Sequence, residues 1–252
     1  MNEIYYPSLR KKLILVTGAT SGIGKGICED LLKQGSIVIG VGRNILNIKN
    51  DILTNPNFIF LEFDLTQLDE IEKLLTDCVI THGKLDGLVN CAGKEETIPL
   101  SMYKLDKIKS LFDINVFAGI EILRIFAKKK ISNNNSSVIF ISSVMGELGQ
   151  PGKLGYCSSK SAILGVVKSA SLELVKRNIT VNAISPGFVM TPMTEALFVK
   201  ISDKNIEKIK EMHPLGIGKI EYITPSVLFL LSKQSSWITG QNIKIDGGYS
   251  VQ

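Results

Sequence analysis

Leu13-Ile14-Leu15-Val16-Thr17-Gly18-Ala19-Thr20-Ser21-Gly22-Ile23-Gly24 runs from an apolar, β-branched tract straight into glycines placed where a backbone turns tightly. A strand that ends in such a turn and opens a helix aims free N–H groups and the positive end of the helix dipole at one point, which suits a pyrophosphate. The strand–turn–helix setting gives the glycines their meaning, since glycines alone also make ordinary loops. A P-loop is excluded by the letters. Gly24-Lys25 would need a glycine where Ala19 stands and a hydroxyl where Gly26 stands, so both the phosphate-lysine frame and the magnesium ligand are missing.

Outward from this stretch, short apolar runs alternate with longer helical patterns to the end of the chain, as βαβ units require. Strands are expected at Lys12–Thr17, Ser36–Gly42, Phe58–Phe63, Leu85–Asn90, Ser137–Ser142, Thr180–Ser185 and Asn242–Asp246. Helices are expected at Gly22–Gln34, Gln67–His82, Lys104–Lys129, Gly155–Arg177 and Thr224–Leu231. The fold class is therefore α/β: a Rossmann-type, doubly wound parallel sheet of seven strands with helices on both faces. One domain covers residues 1–252, with 1–10 as an N-terminal extension. Asn133-Asn134-Asn135 reads as a polar turn, not a boundary. Residues 191–218 follow a Pro186-Gly187 break at a strand's carboxyl end, where long insertions cover ligands, and are expected to form a mobile substrate lid.

Bulk numbers narrow the function classes. A chain of 252 residues with 44% hydrophobic and 21% charged residues can bury a large core and is too apolar to be disordered. Its apolar runs, such as Leu13–Val16 and Val227–Leu231, are too short to span a bilayer, so no membrane is expected. Met1–Arg10 lacks the pattern of a secretory signal, which points to the cytoplasm. The net charge of +5 comes from cations interleaved with acids, which argues against nucleic acid. Lys128-Lys129-Lys130 closes a helical stretch, where cations complement the dipole. Cys28, Cys78, Cys91 and Cys157 form no C-x-x-C pair and read as small buried hydrophobes, and no metal site is expected. His82 and His213 have no triad-like or metal-like neighbours in sequence and read as incidental.

Chemistry concentrates at Tyr156-Cys157-Ser158-Ser159-Lys160, which sets a phenol and an ammonium one helical turn apart, downstream of Ser142 and Ser143. Spacing alone is a weak signal, because Tyr103 and Lys107 repeat it and read as a solvated helix face. The surroundings separate the two pairs: only the first follows a glycine-rich turn and a strand ending in serines.

With glycines at 18, 22 and 24, the turn differs from G-x-G-x-x-G and resembles that of the short-chain dehydrogenase/reductase family. The resemblance extends over about residues 11–250. Asp64-Leu65 is similar to the family's adenine contact, Asn90-Cys91-Ala92-Gly93 to its N-N-A-G strand end, and Asn115 to the asparagine of the next helix. Ser143, Tyr156 and Lys160 resemble the catalytic set; Pro186-Gly187, Val189 and Thr191 resemble the nicotinamide-binding segment. The resemblance implies an oxidoreductase whose catalytic residues are Asn115, Ser143, Tyr156 and Lys160. It implies a dinucleotide held by Gly18, Thr20, Ser21, Gly22, Ile23, Gly24, Arg43, Asp64, Leu65, Asn90, Ala92, Gly93, Tyr156, Lys160, Pro186, Gly187, Val189 and Thr191. Family tetramers are similar in their use of an apolar helix like Gly155–Val175, so a homotetramer is expected.

NADP(H) is preferred over NAD(H), because Gly42 stands where a ribose-binding carboxylate is usual and Arg43 and Ser21 can receive a 2'-phosphate. Ketone reduction needs an acid for the developing alkoxide. A cation about 5 Å from a phenol contributes about 3 kcal/mol at an effective dielectric near 20, or roughly two pKa units, so Lys160 is expected to acidify Tyr156. In the family's manner, Lys160 would also bind the cofactor ribose, Ser143 would polarise the carbonyl, and Asn115 would hold a water beside Lys160. Gly146-Glu147-Leu148-Gly149, Pro186-Gly187-Phe188 and Ile245-Asp246-Gly247-Gly248 are most similar to 3-oxoacyl-acyl-carrier-protein reductases. The substrate is accordingly expected to be a small-molecule or acyl-carrier-bound carbonyl, with Lys128, Lys129, Lys130 and Arg177 as carrier contacts. Two departures, Cys91 for asparagine and Gly216-Ile217-Gly218-Lys219 after the lid, leave sugars, steroids and polyols open as substrates. A dinucleotide-binding sensor without turnover is the alternative of another class.

Overall fold

Alternate side chains of the first strand, β1 (Leu13–Thr17), enter opposite cores: Leu13 and Leu15 pack into one, Ile14 and Val16 into the other. A strand with period-2 geometry and no polar face must be covered on both sides, and this one is fully buried. The same logic repeats across β2 (Ile37–Gly42), β3 (Phe58–Glu62), β4 (Leu85–Asn90), β5 (Ser132–Ile141), β6 (Thr180–Pro186) and β7 (Asn242–Ile245). They form one seven-stranded sheet in the order β3-β2-β1-β4-β5-β6-β7, with every pairing parallel. This computed structural model describes residues 5–48 and 50–251; Met1–Ile4, the start of the expected N-terminal extension, lie outside the described residues.

One face is covered by α1 (Gly22–Lys33), α2 (Asn50–Leu53) and α9 (Ile220–Leu231), through Ile27, Leu31, Ile52, Val227 and Leu228. The other is covered by α3 (Ile71–His82), α4 (Leu105–Phe112), α5 (Ala118–Phe126) and α6 (Leu154–Leu174), through Leu75, Leu111, Phe126, Ile163 and Val167. Strand order reverses between β1 and β4, and ligands of open α/β sheets bind at the strands' carboxyl ends at such a point. No helix among the described residues is long and apolar enough to cross a membrane.

Two expectations change and a third is extended. The helix expected over Lys104–Lys129 is two helices joined by a π-helical turn, Asp113–Phe117, centred on Asn115. The asparagine turn lies inside β5: Leu85 pairs with Ser132, pairing resumes at Gly87 and Ser137, and Asn133–Asn135 bulge between. Asn135 takes a left-handed φ of 59°, which asparagine tolerates, and Asn133 Nδ2 donates to Asp86 at 3.1 Å. Lys128, just past the end of α5, also pairs with Glu72 of α3, which receives Arg124 as well.

Residues 191–218 hold two helices, α7 (Pro192–Phe198) and α8 (Asp203–Glu211). Their ends are stitched together where Met190 N donates to Gly218 O at 2.8 Å and Gly218 N to Phe188 O at 2.9 Å. His213, expected to be incidental, is a buried clamp: Nδ1 bonds Ile209 O at 2.7 Å and Nε2 accepts from Phe188 N at 3.1 Å. Its ring also stacks on Tyr249, with centroids 4.7 Å apart.

Phe140, next to last in β5, is 2% exposed and packs against Gly119 of α5. Phe140→Ala should cost about 3–5 kcal/mol, read as a lower urea midpoint with an unchanged m value.

Candidate active site

Gly18 has a φ of 67°, left-handed backbone that costs other residues strain, and a Cβ there would stand 3.0 Å from Ala92 N and Cα. At Gly24 a Cβ would overlap the Gly18 carbonyl. Both glycines are thus required for the turn to lie flat between β1 and β4. Thr17 Oγ1 locks the two strand ends by accepting from Cys91 N and Ala92 N, each at 3.0 Å. Ser21 caps α1 in extended backbone with no side-chain cap bond, so the first-turn amides and the helix dipole face the cleft. This cradle suits an anion. Gly24 N–H points toward Cys91, whose thiol burial pushes up to about 12.

The cleft beyond holds about 1160 Å³ to its open mouth. Gly18, Ser21, Gly22, Ile23, Gly24, Ala92, Gly93, Ser143, Tyr156, Lys160, Pro186, Gly187, Val189 and Thr191 all line it. Thr20 lines the adjoining groove along α1. Leu65, Asn90 and Asn115 sit behind Ala92 around a small void, with the Asn90 amide buried and unpartnered among the described residues. Arg43 is exposed at the end of β2. Asp64 accepts from Thr66 N at 3.0 Å and Thr66 Oγ1 at 2.8 Å; these bonds, with help from Arg43, hold its carboxyl below the usual range.

Ser143, Tyr156, Lys160 and Asn115 converge at the other end. Ser142 is the structural serine: its Oγ donates to Lys160 O at 3.0 Å. Ser143 Oγ accepts from Met145 N at 3.2 Å and stands within hydrogen-bonding reach of the Tyr156 phenol. Asn115 Nδ2 donates to Lys94 O and Ser159 Oγ, both at 3.0 Å, and Oδ1 accepts from Lys94 N at 2.9 Å. A Cβ on Gly93 would lie 3.1 Å from Asn115 Oδ1 and 3.7 Å from Lys160 Nζ, so the missing side chain keeps a gap between those groups.

The expected acidification of Tyr156 by Lys160 is corrected. Lys160 Nζ lies 5.7 Å from the ring centroid and directs its hydrogen bond to Ile141 O at 2.9 Å. Burial dominates both groups: it pushes the phenol up to about 12, offset only in part by Ser143 and reinforced by Glu95, and it pushes the ammonium down to about 8. The other Tyr–Lys pair is corrected too. Tyr103 ends a 3-10 turn before α4 begins, is 9% exposed, and packs its hydroxyl against Gly155 of α6.

Three polar residues of the cleft escaped the sequence reading. Lys153, at the N-cap of α6, is 5% exposed and pairs with Glu95, while Gln150 Oε1 is buried without a partner among the described residues. Their signal was the three-residue step from Lys153 to Tyr156, legible only once the start of α6 is known.

Comparison with known proteins accords with this geometry. The family model described as enoyl-(acyl carrier protein) reductase matches residues 18–250. The 3-oxoacyl-[acyl-carrier-protein] reductase of Thermotoga maritima is 34% identical over 248 residues, covering 96% of this chain and 99% of its own. That of Rickettsia bellii is 38% identical over 239 residues, covering 93% and 95%. Among solved structures, the ligand-free aldohexose dehydrogenase of Thermoplasma acidophilum superposes with a TM-score of 0.87 at 28% identity, covering 98% of this chain and 97% of that one.

The buried ammonium yields a linkage prediction. Below about pH 8 both folded and unfolded chains hold the Lys160 proton, and the fold carries the desolvation cost of about 3 kcal/mol. As pH rises from about 8 toward 10.5 the unfolded chain binds more protons than the folded one, so stability climbs. Lys160→Met should therefore stabilise the fold at pH 7 by about 1–3 kcal/mol after the lost hydrogen bond, read as a higher urea midpoint, with the gain shrinking across that window.

Proposed function

Because the chain belongs to the short-chain dehydrogenase/reductase family, we propose that this oxidoreductase uses NADPH to reduce 3-oxoacyl groups borne on an acyl carrier to the 3-hydroxy products. The observation that carries this reading is the convergence of Ser143, Tyr156 and Lys160 in the cleft whose far end is the glycine cradle. The residues fit a nicotinamide dinucleotide: the first turn of α1 would take its pyrophosphate, Lys160 its ribose, and the segment Pro186–Thr191 its nicotinamide. Bound there, the cofactor supplies the hydride.

Choice of NADP(H) over NAD(H) rests on Gly42, Thr20 and Arg43. A Cβ on Gly42 would overlap the Thr20 methyl, so the place of a ribose-binding carboxylate is already filled. Arg43 is exposed beside it, near an Asp64 carboxylate already engaged by Thr66, which suits a bidentate grip on a 2'-phosphate.

The elevated phenol favours reduction. A Tyr156 hydroxyl near 12 carries its proton throughout the neutral range. An alkoxide is far more basic than a phenolate, so proton transfer to it from the phenol is downhill without help from Lys160. Ser143 and Tyr156 present two hydroxyls to the oxygen on which charge develops. Asn115 and Lys160, facing each other across Gly93, frame the place where a water would resupply the proton. A pair of hydroxyls aimed at one oxygen suits a carbonyl better than a carbon–carbon double bond, whose reduction protonates carbon. The Glu95 carboxylate in the cleft, together with the likeness to an aldohexose dehydrogenase, supports a second reading as a sugar or polyol dehydrogenase.

Of the expected carrier contacts, Lys129 and Lys130 remain exposed, whereas Lys128 is held by Glu72 and Arg177 donates to Ala127 O, Ser132 O and Asn134 Oδ1. Exposed Leu154, Leu172 and Val175 along α6 and its end support assembly into a homotetramer.

Turnover of a short 3-oxoacyl thioester with NADPH tests the reading directly. Tyr156→Phe should keep NADPH affinity within about threefold and lose at least about 10³ in kcat, since it deletes the proton and little else. Arg43→Ala should raise KM for NADPH about 10–100-fold and leave NADH nearly unaffected; a wild-type enzyme that prefers NADH overturns the cofactor assignment.

A further inference from the structure

We propose that Lys153, Glu95 and Gln150 form a second polar subsite that receives the thioester oxygen of the substrate, so that the enzyme selects ketones bearing a second carbonyl one carbon away. The inference rests on the reductase reading above. It begins from an energetic oddity: Lys153 and Glu95 form an ion pair with side chains only 6% and 16% exposed, lining a substrate cleft. Desolvating two charges is costly, and an apolar pair of similar volume is often at least as stable, so stability gives no reason for this pair to be here.

The pair lines the cleft with valences to spare. An ammonium has three donors, and Glu95 is the one partner of Lys153 Nζ among the described hydrogen bonds. Glu95 Oε1 also accepts from Thr97 Oγ1 at 2.9 Å, which pins the carboxylate against the ammonium. Gln150, three residues before Lys153, lines the same cleft; its Oε1 is buried without a partner among the described residues, and the donor it can offer a carbonyl is its Nε2 amide. The Lys153 ammonium and the Gln150 amide therefore line the same cleft as Ser143 and Tyr156.

Charge selects the ligand class. Glu95 neutralises Lys153, so the subsite offers N–H donors without net positive charge. A neutral carbonyl oxygen fits that environment, whereas a free carboxylate would meet Glu95 as well as Lys153. In a 3-oxoacyl thioester the two carbonyls are separated by a single carbon, so both oxygens fall within the one cleft that these residues line.

The test is a selectivity ratio: kcat/KM with NADPH for a short 3-oxoacyl thioester, divided by that for a methyl ketone of equal chain length with no second carbonyl. Because Lys153→Met alone strands the Glu95 charge, the decisive variant is Glu95→Gln with Lys153→Met, checked for folding by NADPH binding. The ratio should fall about tenfold or more, chiefly through KM, because a donor to the thioester oxygen is gone. Glu95→Gln with Lys153→Gln, which restores a neutral donor, should recover at least about threefold. A ratio within about twofold of wild type, or an equal loss for both substrates through kcat, overturns the subsite while leaving the reductase reading intact. A wild-type enzyme that reduces neither ketone removes the reading and the subsite together.

Discussion

Two hydrogen bonds that cross between β5 and α6 in opposite directions hold the catalytic groups in place. Ser142 Oγ donates to Lys160 O, and Lys160 Nζ donates to Ile141 O. Together they pin the second turn of a 21-residue helix to the carboxyl end of a central strand. Tyr156 lies one turn earlier on that helix, so its position opposite Ser143 follows from the same two contacts. Asn115 adds a third anchor from the opposite side through Ser159, the residue just before Lys160. Tyr103 adds a fourth by filling the space over Gly155. The phenol is thus placed by its helix, which is held at several points, and needs no bond of its own to the sheet.

Much of this was legible in the letters because it follows from period and burial. β4 falls on Leu85–Asn90, as its apolar run required, and the remaining strands differ mainly at their ends. β5 is the exception, because Asn133–Asn135 interrupt its ladder with a bulge that a polar run disguises as a turn. The site glycines were readable since each must leave space for a neighbouring backbone or side chain. What stayed hidden depends on pairs distant in sequence. Lys153 and Glu95 lie 58 residues apart, and nothing local marks either as buried. His213 has no chemical neighbours along the chain, yet it bonds Phe188 from 25 residues away. Tyr103 misled through its spacing to Lys107, because no helix joins them.

The electrostatic balance of the site also differs from a pairwise estimate. A phenol and an ammonium at this range attract and repel protons by a couple of pKa units in a uniform medium. Here both groups are buried, and desolvation outweighs their mutual influence. The result is a loaded acid beside a cation that holds its proton less tightly than usual. The phenol stays protonated across the neutral range, and only the ammonium gives up its proton more readily than a free lysine.

The π-helical turn between α4 and α5 places one extra residue into a helix that must present apolar faces on both sides of the join. Leu111 before it and Ile122 and Phe126 after it are all buried, and Asn115 sits at the widened turn. Each residue of an α-helix rotates the chain by about 100°, so removing one letter here would swing everything downstream away from the sheet. Along this segment, inheritance can exchange letters but not change their number.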